Sequence, residues 1–256
     1  MGNNNVRLIA KLDVKGSYLV KGIKFEGLRR LGTPHDFARK YYEEGIDELI
    51  YIDIVASLYE RNNLSNIVEE STRDIFVPIT VGGGIRNIND VANLLEKGAD
   101  KIAINTAAIK NPKLISDVAK KYGSQCMVLS VQAKRISPSQ WEAYYDNGRE
   151  KTGIDVVQWV QNAFNSGAGE ILLTSVDQEG TMKGLDIDLV KTVSGIVPIP
   201  VIACGGLNDE NNFVQAVNEG CADAVAVGSL LHYGKSSINI MKRAAIEAGI
   251  DVRRIY

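Results

Sequence analysis

Two glycine clusters carry the clearest chemical signal in this sequence. Val81-Gly82-Gly83-Gly84-Ile85 and Ala203-Cys204-Gly205-Gly206-Leu207 each follow a short apolar run and precede a helical pattern. Glycine lets backbone N–H groups approach an anion closely, and the start of a following helix adds its dipole. The next apolar runs end in Asn105-Thr106-Ala107 and Gly228-Ser229, which add amide and hydroxyl donors. Tight turns would explain one such cluster; two at matching positions point to two phosphate cradles. Gly84, Asn105 and Thr106 belong to the first, and Gly205, Gly206, Gly228 and Ser229 to the second.

Acidic residues stand at the ends of three apolar runs: Asp13, Asp53 and Asp177. A carboxylate held beside a phosphate can serve as general acid or base. Lys21 lies close to Asp13 in sequence and suits either a phosphate or an ion pair that keeps a carboxylate charged. Asp53 fits a structural hydrogen-bonding role equally well. A third set, Arg7, Glu48, Lys101 and Glu170, stands at or near the starts of apolar runs. Converging on one axis they could form a salt-bridge ring, but surface ion pairs usually contribute little, so spacing alone favours ordinary surface charges.

The elements that must position these residues read as alternating strands and helices. Strands are expected at 8–14, 48–54, 79–81, 101–105, 127–133, 170–176, 201–203 and 224–227. Helical patterns run over 34–44, 89–97, 111–121, 154–166, 186–195 and 209–219. Eight strands separated by helices, with no Pro/Ser-rich linker, describe a parallel α/β domain. An internal repeat separates a closed barrel from an open sheet. Gly45-Ile46-Asp47-Glu48 lines up with Gly167-Ala168-Gly169-Glu170, Pro78 to Gly83 with Pro200 to Gly205, and Gly98-Ala99-Asp100 with Gly220-Cys221-Ala222-Asp223. Two (βα)4 halves close naturally into a ring, so residues 1–256 are expected to form one (β/α)8 TIM barrel. In such barrels the ends of the strands carry the active site and their starts lie at the opposite face.

Composition narrows the function classes. A formal net charge of −2 gives no electrostatic reason to expect nucleic acid or an anionic membrane as partner. No apolar run approaches the ~18 residues of a membrane span, and Met1 to Asn5 lacks a signal-peptide core. Val6 stands where a myristoylation motif needs Ser or Thr. Cys126, Cys204 and Cys221 have no metal-ligand spacing and read as buried free thiols of a cytoplasmic protein. With two histidines and no dinucleotide loop, neither metal nor cofactor is expected.

From about Arg7 to Arg253 the chain resembles the cyclase subunit family of imidazole glycerol phosphate synthase in histidine biosynthesis. The resemblance is carried by Leu12-Asp13-Val14-Lys15, Val20-Lys21-Gly22, Gly45-Ile46-Asp47-Glu48-Leu49, Thr80-Val81-Gly82-Gly83-Gly84-Ile85, Ile104-Asn105-Thr106-Ala107-Ala108, Gly123-Ser124-Gln125 and the run from Gly167 to Ser175. It implies a glutaminase partner at the N-terminal face, whose ammonia crosses the barrel to a phosphorylated substrate at the C-terminal mouth. It also makes Arg7, Glu48, Lys101 and Glu170 an ammonia gate and Asp100 a contact with the glutaminase. In Asp177-Gln178-Glu179-Gly180-Thr181 it assigns Asp177, Glu179 and Gly180 to the second phosphate loop, where Glu179 replaces the family's aspartate.

One departure bears directly on the chemistry. The family's two catalytic aspartates fall on Asp13 and on position 132, which is Gln132 in Val131-Gln132-Ala133-Lys134-Arg135. An amide has no proton to exchange near neutral pH, and losing one acid–base group typically slows a reaction ~10²–10⁴-fold. Lys11 replaces a residue commonly small in the family, and by strand alternation it shares a face with Asp13. These changes resemble a divergent branch encoded with surface-polysaccharide genes, which supplies ammonia for acetamidino groups on sugars. Gly27-Leu28-Arg29 and Ala56-Ser57-Leu58-Tyr59 also resemble that branch. The expectation is therefore the barrel subunit of a glutamine-dependent amidation complex, leaving room for a third, amidating protein. The alternatives are a working lyase-class cyclase and a non-catalytic phosphosugar scaffold.

Overall fold

A computed structural model describes residues 5–56 and 64–254. Met1 to Asn4 and Ser57 to Tyr59, on which parts of the sequence reading rest, lie outside the described residues. Eight parallel strands close on themselves: β1 (Arg7–Lys15), β4 (Glu48–Asp53), β5 (Ile79–Gly82), β6 (Lys101–Ile104), β7 (Met127–Ser137), β10 (Glu170–Ser175), β11 (Val201–Cys204) and β12 (Ala224–Val227). They hydrogen-bond in that order, and β12 pairs with β1 to complete the ring. The barrel expected from the alternating pattern is the fold observed.

Both faces of these strands are buried, which is why they read as continuous apolar runs. Outward residues such as Leu8, Leu49, Val81, Leu129 and Ile171 pack against the helices. Inward residues Ile9, Ile50, Ala103, Val128, Leu172, Ile202 and Ala224 fill the barrel's middle. The helices start on side-chain caps: Thr33 before Pro34–Glu43, Asn87 before Ile88–Glu96, Asp155 before Val156–Asn165 and Asp209 before Glu210–Asn218. Each cap accepts from a backbone N–H that the first helical turn would otherwise leave unsatisfied.

Two antiparallel hairpins rise beyond the ring, and the sequence reading places strands at neither. β2 (Tyr18–Ile23) and β3 (Glu26–Gly32) follow β1; Lys24 and Phe25 between them have φ of 51° and 64°, as a two-residue type I′ turn requires. β8 (Gln140–Tyr145) and β9 (Glu150–Asp155) follow β7. Both leave from strand C-termini, so both overhang the same mouth. The cysteine expectation needs correction: Cys126 and Cys204 are buried, but Cys221 is exposed in the turn before β12, with φ 57°. Ala222 beside it is buried, whereas Cys221 itself is exposed just before the strand begins at Ala224.

The barrel wall is keyed to a histidine. His232 is buried; its Nδ1 lies 2.8 Å from the Tyr41 hydroxyl and its Nε2 3.1 Å from the Lys11 carbonyl oxygen. Burial pushes its pKa from the usual 6.5 down to about 4. The unfolded chain therefore takes up a proton first, and stability falls as pH drops from 6.5 toward 4. Denaturant melts across that window should show a loss on the order of 3 kcal/mol from this group. A His232→Gln variant should lack that component, and an unchanged pH slope in it would refute the assignment.

Candidate functional site

At the N-terminal end of the barrel, Arg7 on β1, Glu48 on β4, Lys101 on β6 and Glu170 on β10 meet on the axis. Arg7 donates to Glu48 at 2.8 Å and also to Glu170. Lys101 donates to Glu48 at 2.9 Å and to Glu170 at 2.9 Å. Each carboxylate thus bridges both cations, and Thr80 adds a 2.8 Å bond to Glu48. The glutamates are buried and the cations half-buried, so the ring faces solvent on its lower side through its positive members. A depression of about 440 Å³, lined by Arg7, Lys101, Gln125, Glu170 and Asp223, opens below it. Asp100 is exposed near this face, and its carboxylate accepts from the Ile79 N–H at 2.8 Å.

Above the ring comes the apolar layer of Ile9, Ile50, Ala103, Val128, Leu172 and Ile202. Above that, charge returns. Lys11 donates to Asp13 at 2.6 Å; Lys21, carried back over the mouth by β2, donates to Asp13 at 2.6 Å and to Glu179. Lys11 also lies 3.6 Å from Glu179, so four buried groups alternate in sign. Burial alone would favour the neutral carboxylic acid on Asp13, but Lys11 and Lys21 outweigh it and hold the group far below the usual carboxylate range. Glu179 is lowered for the same reasons. Conversely both lysines are raised: burial opposes their charge, and the two carboxylates more than compensate. Burial pushes the adjacent Cys204 thiol up to about 11, so it stays protonated.

The two glycine loops share a backbone conformation, with φ of 96° at both Gly83 and Gly205. A Cβ on Gly83 would collide with the Asp53 carbonyl, and one on Gly205 would lie 2.8 Å from the Ser175 carbonyl oxygen. Their surroundings differ sharply. The first loop borders a cavity of about 310 Å³ lined by Asp53, Gly84, Asn105, Thr106, Gln132 and Asn147, among others. The second, with Gly180, Gly206, Gly228 and Ser229, borders only about 20 Å³, walled by Lys11, Lys21 and Glu179.

The histidine biosynthesis protein family matches residues 7–237 of this chain. That span is most of the barrel. The chain belongs to this family. Among its relatives is imidazole glycerol phosphate synthase subunit HisF of Legionella pneumophila, 60% identical over 210 residues, which are 82% of this chain and 99% of the relative.

Against that family background, the residues singled out in sequence fall into three groups. The four ring residues come together at the N-terminal end, and Lys11, Asp13, Lys21 and Glu179 come together at the mouth. Asn105, Thr106, Gly84 and Gln132 gather at the open cavity. Asp177 joins none of them through its side chain: it lies just beyond β10, and its carboxylate accepts from the Arg135 N–H at 2.9 Å. Asp53 lines the cavity; burial raises its pKa although the Val55 N–H donates to it at 3.0 Å. The Gln132 carbonyl accepts from the Gly148 N–H at 2.8 Å, so what its side chain offers a ligand is an N–H donor. Sequence reasoning missed Arg86, Lys110, Ser130 and Asn147, all at the cavity wall. Arg86 and Lys110 follow Gly84-Ile85 and Asn105-Thr106 closely enough that their position beside those loops was a usable signal.

The quartet's contribution can be measured. Lys21→Met leaves Asp13 and Glu179 facing Lys11 alone, and breaking a buried pair of this kind typically costs about 3–5 kcal/mol. Both carboxylates are depressed in the fold, so their stabilisation is complete above the ordinary carboxylate range and is lost as pH falls through their folded values. Urea melts should therefore show a large deficit at pH 7 that narrows below about pH 4. Equal stability of variant and wild type at pH 7 would contradict the arrangement.

Proposed function

We propose that this chain is the barrel subunit of a glutamine-dependent amidation complex, cytoplasmic, taking ammonia from a glutaminase docked at its N-terminal face. The ring of Arg7, Glu48, Lys101 and Glu170 is the observation that carries this reading. It closes the axis where a partner would dock, with an apolar layer directly above it. Neutral ammonia crosses an apolar layer readily and ammonium does not, because an unpaired charge there has no compensating partner. The acceptor is a phosphorylated molecule at the C-terminal mouth, held by Gly84, Asn105 and Thr106, with Asp100 contributing to glutaminase contact. Modification of a sugar with an acetamidino group, with a third protein completing the amidation, fits the departures at Lys11 and Gln132. Neither cofactor nor metal is part of this reading.

The 60% identity to a protein named as a synthase subunit favours a second reading, a working imidazole glycerol phosphate synthase cyclase. Two features weigh against it. Gln132 exchanges no proton, and Asp13, held ionised between two lysines, is a poor proton donor. Purified protein given the cyclase's nucleotide substrate and ammonium salt separates the two. Turnover should lie ~10²–10⁴-fold below that of a cyclase with both aspartates. Turnover at the level of such an enzyme would establish the second reading and end the first. Failure of the chain to bind or stimulate a glutaminase expressed with it would end both.

A further inference from the structure

We infer that the mouth of this barrel accepts one phosphate, because Lys11, Asp13, Lys21 and Glu179 fill the second cradle, and that its ligand is a compact monophosphorylated, hydroxyl-rich molecule. This rests on the mouth being a ligand site, as proposed above, and names the class of ligand.

Space gives the first argument. The half bounded by Gly205, Gly206 and Gly228 leaves about 20 Å³, against about 310 Å³ at the half bounded by Gly84 and Asn105. The smaller volume suits roughly one water, which would also serve Ser229 Oγ, buried there without a hydrogen-bond partner among the described residues. The Lys21 ammonium stands against the cradle itself: a Cβ on Gly228 would lie 3.3 Å from its Nζ. On the other side, Glu179 Oε2 would lie 3.3 Å from a Cβ on Gly205.

Charge gives the second. Lys21 is the cation nearest the second cradle, and its donors already go to Asp13 and Glu179. A phosphate entering there would have to take Lys21 from two carboxylates and then lie beside them, like charge against like in a buried setting. Lys11 makes this arrangement hold. With Lys11 present, two ammoniums face two carboxylates and the group is neutral; without it, two buried carboxylates share one cation.

The open half is equipped differently. Arg86 and Lys110 line it, and Thr106 Oγ1 is held by Asp146 at 3.2 Å, a contact a phosphate would displace. Deeper in are groups that recognise hydroxyls. Gln132 presents an N–H donor, Asn147 donates to the Ile54 carbonyl and so presents its own oxygen, and Asp53 and Ser130 complete the wall. A volume of about 310 Å³ is at the small end for ligand pockets, which matches a phosphorylated sugar, whereas a two-phosphate nucleotide spanning the mouth would need the second cradle as well.

The test is titration of the full chain with inorganic phosphate, followed by amide chemical shifts. The N–H signals of Gly84, Asn105 and Thr106 should follow one saturable curve. Those of Gly206, Gly228 and Ser229 should respond only at concentrations about tenfold higher or not at all. The charge-balanced variant Lys11→Ala/Glu179→Gln keeps one cation and one carboxylate and should gain a second saturable curve at the second set of amides. Two comparable curves in the wild type, no saturation at the first set, or an unchanged second set in a folded double variant would each overturn the proposal. None of these outcomes depends on a glutaminase, so failure here is separable from failure of ammonia transfer.

Discussion

The mouth of this barrel is organised by the alternation of Lys11, Asp13, Lys21 and Glu179, four full charges removed from water. Desolvating even one ion costs several kcal/mol, and only close pairing with every neighbour offsets that. The geometry meets this condition: both lysines reach both carboxylates within 3.6 Å. Three segments must be held together for it to exist, and the backbone shows how. Lys24 N–H donates to the Glu179 carbonyl at 2.7 Å, and a Cβ on Gly180 would strike the Gly22 carbonyl, so the β2–β3 hairpin and the loop after β10 lie in contact. Gly180 adopts φ 72°, a conformation that a β-branched residue would not tolerate.

Strand alternation turns this into a layered interior. On β1 the inward residues are Arg7, Ile9, Lys11 and Asp13, so ionic, apolar and again ionic levels succeed one another at two-residue steps. On β10, Glu170 and Leu172 repeat the first two levels, and the third is the neutral hydroxyl of Thr174. A packed (β/α)8 interior is usually filled with bulky branched residues throughout. Here such residues are confined to the middle level, and charged side chains at the two ends face inward, satisfied by one another. The lower ring touches solvent through its cations, whereas the upper quartet is almost wholly enclosed.

Much of this was legible in the sequence, because parallel strands buried on both faces and flanked by capped helices leave a strong pattern. Glu48-Leu49-Ile50-Tyr51-Ile52-Asp53 and Glu170-Ile171-Leu172-Leu173-Thr174-Ser175 could hardly be anything else. The hairpins were less legible. Lys24-Phe25 is an unusual pair for a type I′ turn, which normally takes Asn or Gly, so the turn rests on the surrounding strands. Asp146-Asn147-Gly148 carried a better signal, flanked by the aromatic strand residues Trp141, Tyr144 and Tyr145. The open cavity's wall was harder still, because it draws residues from the loops after β4, β5 and β6, from β7 and from the second hairpin. The convergence of Arg7, Glu48, Lys101 and Glu170 was visible only as spacing, since direction toward the axis depends on closure of the ring.

The changes at positions 11 and 132 act on the same capacity from opposite sides. Proton transfer at a barrel mouth needs groups whose charge can change near neutral pH. Gln132 removes one such group outright, and its carbonyl is then used to anchor the Gly148 N–H of the second hairpin. Lys11, together with Lys21, holds the Asp13 carboxyl far below the usual carboxylate range, so it stands charged within an ion network. Either change alone would leave half of an acid–base pair. On the proposed reading, the two together favour an interior that holds charges still, lying between the N-terminal ring and the glycine loop at Gly84. That combination suits the proposed task of passing a neutral amine toward a ligand, with the bond-making chemistry elsewhere.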